Sequence, residues 1–65
     1  MQHTWLLQTT DSFIPKYMAI NRHGRPVWVW DPNDAERFES EHHAYQNITT
    51  DMKFRGIIAR RHSVA

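Results

Sequence analysis

The 65-residue chain contains no cysteine, which excludes disulfide staples and thiolate metal sites and fits a reducing compartment. It has no long apolar run either. The start, from Met1 to Gln8, lacks a basic stretch, and its apolar run is limited to Trp5-Leu6-Leu7, so neither a signal peptide nor a membrane span is expected. The Asn47-Ile48-Thr49 sequon is then without consequence, and cytoplasmic residence with no membrane partner is the expectation. Repeats, low-complexity segments and linkers are absent, so residues 1–65 read as one small domain. A chain of that length is near the limit at which a single core suffices. Self-association would relieve the shortage, which makes a homodimer one expected state.

A formal net charge of +1 conceals a segregated pattern. Residues 1–30 carry Lys16, Arg22 and Arg25 against Asp11, a balance of +2. Residues 31–52 carry Asp31, Asp34, Glu36, Glu39, Glu41 and Asp51 against Arg37, a balance of −5. Residues 53–65 carry Lys53, Arg55, Arg60 and Arg61, a balance of +4. Acidic residues favour helix N-termini and basic ones helix C-termini. The same dipolar distribution can also steer a charged partner.

The most informative stretch is Pro26-Val27-Trp28-Val29-Trp30. A strand alternates its side chains between two faces, which puts Val27 and Val29 on one and Trp28 and Trp30 on the other. Neither face is polar. Such a strand is buried on both sides, or buried on one and offered to a partner on the other.

Thr4 to Gln8 reads as a first strand, ended by Thr9-Thr10-Asp11-Ser12. Phe13 and Ile14 are expected to re-enter the core. Pro15, which has no N–H, fits the start or exposed edge of a second strand over Lys16 to Asn21. Asn21-Arg22-His23-Gly24-Arg25 is suited to a three-residue hairpin loop, with Gly24 in the left-handed position. Counting back from Asn21 opposite Arg25 sets Ala19 against Val27, Met18 against Trp28 and Tyr17 against Val29. One face then holds Met18, Ile20, Trp28 and Trp30, joined by Lys16 near the Trp30 ring. The other holds Tyr17, Ala19, Val27 and Val29.

Asp31 is a good N-cap, with Pro32 at the first helical position and Asp34 at the third, predicting a short turn through Ala35 and Phe38. Ser40 caps a second start. Ala44, Ile48 and Met52, with Tyr45 beside them, make an apolar stripe on a longer helix. Gly56 is a helix stop, although Thr49-Thr50 offers an earlier one. Ile57-Ile58-Ala59 is a final short strand or extended tail. The resulting fold class is α+β: an antiparallel sheet of about three strands, with a possible fourth from the C-terminus and one main helix on one face.

The run from Gly24 to Phe38, followed by Glu41 and Ala44, resembles a pattern of short phage-encoded accessory proteins, in which a strand ending in Trp leads through Asp to a helix carrying Ala and Phe. The match covers residues 17–45. The resemblance implies origin in a phage or mobile element, where some such proteins bind and disable host machinery. It carries no catalytic residue across. Trp30 stands where a small or polar residue is commoner in that pattern, which implies an added contact surface.

No enzymatic activity, cofactor or metal is expected. The carboxylates Glu36 and Glu39 are ordinary helix-surface neighbours. Adjacent helical residues point about 100° apart, so His42 and His43 cannot chelate one ion, and His43 is followed four residues on by Asn47, a poor ligand. No nucleophile is oriented by a neighbouring base. Nucleic-acid binding through the basic hairpin tip and basic C-terminus is the alternative, opposed by a pI of 8.3 and an acidic middle. The leading expectation is a protein that binds and inhibits or redirects a host protein by steric occlusion. Its contact area is expected to be the uncovered sheet face, with Tyr17, Met18, Trp28 and Trp30 as anchors and Arg22, Arg25, Arg60 and Arg61 as a charged rim.

Overall fold

The computed structural model describes residues 2–11 and 13–64. Four strands form one antiparallel sheet: β1 (Gln2–Gln8), β2 (Tyr17–Ile20), β3 (Pro26–Val29) and β4 (Ile58–Val64), in the order β3-β2-β1-β4. Between β3 and β4 the chain makes a 3-10 turn (Pro32–Asp34) and two short helices, α1 (Glu41–Gln46) and α2 (Thr50–Phe54). The C-terminal strand is therefore a full member of the sheet. It runs seven residues, well past Ala59, and pairs with β1 along its whole length, from Gln8 opposite Ile58 to Gln2 opposite Val64.

The hairpin forms as its residues dictate. Met18 lies opposite Trp28, Ala19 opposite Val27 and Tyr17 opposite Val29. Gly24 takes φ +76° and donates to the Asn21 carbonyl at 2.9 Å. The Asn21 side chain completes the turn by accepting from the His23 and Arg25 amides at 2.9 and 3.0 Å, the local bonding that makes asparagine a turn residue.

The single long helix expected over the apolar stripe is instead two helices. Ser40 caps the first by accepting from the His43 amide, and Thr49 caps the second by accepting from the Met52 amide. Asn47 bonds through its side chain to the His43 carbonyl at 2.9 Å. Asn and Thr side chains compete for backbone groups in this way and break a helix between them. Ala44, Ile48 and Met52 still reach one core. α2 then ends in a Schellman motif: Gly56, at φ +78°, donates to the Lys53 carbonyl, and the Ile57 amide donates to that of Met52.

The turn after Asp31 stops at Asp34, and Ala35 is extended, so the expected helical turn does not reach Phe38. The segment that follows has a different task. β1 and β2 are paired at Gln8 and Tyr17 and then diverge. Residues 36–38 fill the gap: the Glu36 amide donates to the Met18 carbonyl, and Phe38 exchanges both backbone bonds with Trp5, each at 2.9 Å. Thr4 adds a hydroxyl bond to the Phe38 carbonyl.

The core gathers Leu7, Met18, Phe38, Ala44, Ile48, Met52 and Ile57, with Trp5, Trp28 and Ala59 packed against it. The helices thus lie on the Met18–Trp28 face. On the other face Leu6 is only 2 % exposed although no helix covers it. Tyr17 stands opposite Gln8 and His62 opposite Thr4, and their rings meet edge to face at 5.5 Å, so this pair spans the Leu6 position between them.

His62 has a consequence for stability. Its Nε2 is buried without a hydrogen-bond partner, and desolvation, helped by the nearby Arg60 charge, holds its pKa below the usual 6.5. The unfolded chain therefore takes up this proton first. Stability is full above about pH 6.5 and falls as the pH drops through the lower folded-state value. Thermal melts from pH 7.5 to 5.5 should show a larger loss in the wild type than in His62→Phe; equal losses would remove His62 from the account.

Candidate functional site

The row Ile58, Gln8, Tyr17, Val29 marks one end of the sheet. Beyond it lie the β1–β2 loop, Trp30 and the turn joining α2 to β4. The Thr10 hydroxyl, donating to the Gly56 carbonyl, ties the loop to that turn. Thr9 closes the loop at its base, accepting from the Lys16 amide with its hydroxyl while its own amide donates to the Lys16 carbonyl.

Lys16 and Trp30 come together as the hairpin register requires, with the ammonium 4.7 Å from the ring centroid. Arg55, the C-cap of α2, brings its guanidinium to 6.0 Å from the Trp28 ring. The first distance is well inside the range of a cation–π contact and the second is at its limit. Between them opens a cleft of about 260 Å³ lined by Thr9, Asp11, Lys16, Trp28, Trp30 and Arg55. Arg55 also has a 4.0 Å ion pair with Asp51, exposed on both sides and of little energetic weight.

Four large apolar side chains are exposed at this end: Phe13 and Ile14 in the loop, Trp30, and Phe54 at the end of α2. Trp30 is 61 % exposed and Phe54 88 %. Phe13 and Ile14, expected in the core, lie outside it, because the bonds of Thr9 and Thr10 fold the loop toward Gly56 and the helices and β4 already fill the interior.

The residues expected to form one contact face are divided. Met18 is 2 % exposed, inside the core, and Trp28 packs against the same cluster. Trp30 shares their side of the hairpin but passes the end of the sheet into solvent. Tyr17 alone belongs to the face without helices, where His62 meets it. The arginines divide as well: Arg22 and Arg25 are exposed around the hairpin tip, remote from Trp30, whereas Arg60 and Arg61 lie on β4 at the opposite edge of the sheet. The residues that sequence reasoning missed are Thr9, Asp11, Phe13, Ile14, Phe54 and Arg55. Their assembly depends on the contact of the loop with the α2 turn, which no local pattern announces.

Other candidate chemistry is dispersed. His42 Nε2 lies 3.1 Å from Gln46 Nε2, and the His43 ring meets Phe38 edge to face at 5.5 Å. Among the described residues no three His, Asp or Glu side chains gather as metal ligands, and no helix is long and apolar enough to cross a membrane. No protein-family model matches the chain, and neither a curated protein nor a solved structure does so.

Proposed function

We propose that this chain is a binding module that occupies a surface of another protein and so inhibits or redirects it by steric occlusion, the target being a host protein if the chain is phage-encoded. The observation that carries this reading is the concentration of exposed Phe13, Ile14, Trp30 and Phe54 at one end of the sheet. Clustered large apolar side chains on a small protein mark contact surfaces, and aromatic and arginine side chains dominate binding energy there. The contact area is thus this sheet end, with Trp30 and Phe54 as anchors, rather than a broad sheet face.

The test is affinity capture from lysate, with and without nuclease, using the wild type, Trp30→Ala, Phe54→Ala and an Arg22→Ala/Arg25→Ala double variant. Both aromatic variants should remain folded, since each removes a largely exposed side chain. The expected result is one protein recovered in stoichiometric amount, reduced at least about tenfold by either aromatic change and unaffected by the tip arginines, an effect of the size seen at interface hot spots. Recovery that disappears with nuclease would replace this reading with nucleic-acid binding. Recovery indifferent to Trp30 and Phe54 would place the contact elsewhere.

A further inference from the structure

We propose that the cleft between Trp28 and Trp30 is an anchor pocket for one carboxylate side chain of an acidic partner segment, gripped between the Lys16 ammonium and the Arg55 guanidinium; the inference rests on the protein-binding reading above. Size is the first argument. A cleft of about 260 Å³, just under the roughly 300–1,000 Å³ of small-molecule sites, has room for a carboxylate side chain and the backbone that carries it. The walls supply the second. Two indoles line it, offering apolar surface to an aliphatic stem, and each is approached by one cation.

The charges are incompletely matched inside the protein. Among the described residues Lys16 has no carboxylate within 4.0 Å, and the ion pair of Arg55 is the long, solvated one to Asp51. Asp11 also lines the cleft but is in ion-pair contact with neither. The lining itself carries two cations and one carboxylate, and Asp51, outside the lining, meets Arg55 only across that 4.0 Å solvated contact. The Thr9 hydroxyl, which accepts from the Lys16 amide, keeps its own hydrogen to donate to an incoming oxygen. A carboxylate placed there gains charge-assisted hydrogen bonds while its stem lies on the indoles. Exposed Phe13 and Phe54 at the same end of the sheet suit apolar neighbours of that acidic residue.

The experiment follows the three indole N–H resonances of the intact protein by NMR, with Trp5, packed against the core, as the internal control. The titrants are an acetylated and amidated Glu-Phe-Glu peptide, its Gln-Phe-Gln counterpart and an oligothymidylate. The Glu peptide should move the Trp28 and Trp30 signals saturably and leave Trp5 in place. The Gln peptide, and the Glu peptide added to Lys16→Gln or Arg55→Gln, should bind at least about tenfold more weakly, the loss of one hydrogen bond to a charged group. Asp11→Asn should tighten Glu-peptide binding. Equal response to the two peptides, no saturable response to the Glu peptide, or tighter binding of the oligothymidylate would each overturn the proposal. If the captured partner of the preceding experiment persists and still depends on Trp30 and Phe54, only the anchor chemistry falls; if it is absent, the protein-binding reading falls with it.

Discussion

Leu7→Ala is expected to remove a large part of the chain's stability at 25 °C. Leu7 is 0 % exposed at the centre of the cluster formed by the sheet and both helices, and truncating such a leucine costs about 2–5 kcal/mol. A domain of this length has a total stability of only about 3–10 kcal/mol. The adjacent Leu6→Ala is the more discriminating variant. Leu6 points to the face without helices, where an uncovered leucine would cost under ~1 kcal/mol to truncate. Its burial beneath the Tyr17–His62 pair predicts a loss of about 2–4 kcal/mol instead. Urea denaturation of the two variants reads the difference. A small loss for Leu6→Ala beside a large one for Leu7→Ala would mean that the aromatic pair does not close that face.

Gly56→Ala is expected to be the most damaging single change outside the core. At φ +78° an L-residue pays about 1–2 kcal/mol, and an added Cβ would lie 2.6 Å from the Thr10 hydroxyl oxygen. That hydroxyl would have to move, releasing its bond to the Gly56 carbonyl and a further ~1 kcal/mol. Gly24 is the control: its φ is +76°, and the Cβ of an alanine there would have nothing within 4 Å. Gly24→Ala should therefore cost only the backbone part. In a Thr10→Ala background the Gly56→Ala cost should fall to about that of Gly24→Ala, as a double-mutant cycle reports. Equal costs for the two glycines in the wild-type background would show that the Thr10 contact carries no energy. Because the loop is held to the α2 turn through this bond, Gly56→Ala should also disturb the cleft.

Several features built by close neighbours in sequence were legible from residue identity. The hairpin register follows from Asn21 and Gly24, the helix starts from Asp31 and Ser40, the stop from Gly56, and the Lys16–Trp30 contact from counting along two paired strands. Each depends on groups a few residues apart, whose bonding is settled by backbone geometry and a side-chain oxygen. The helix over Ala44 to Met52 was legible as a buried stripe but not as two pieces, since the stripe survives the break at Thr49.

The placement of distant segments was decided by the tertiary structure. Both hairpin faces are apolar, so their sequence has no preference for which one the helices cover; the pairing of β1 with β4 and the wedge at residues 36–38 bring Leu7, Phe38 and the helices onto the Met18 side. The same long-range pairing extends β4, although the run Arg60-Arg61-His62-Ser63 within it gives no apolar signal. Arg55 reaches Trp28, and Phe13 remains outside, because the β1–β2 loop meets the α2 turn. Local propensity acts over a few bonds, whereas these contacts depend on how the whole chain divides a small supply of apolar surface between two faces of one sheet.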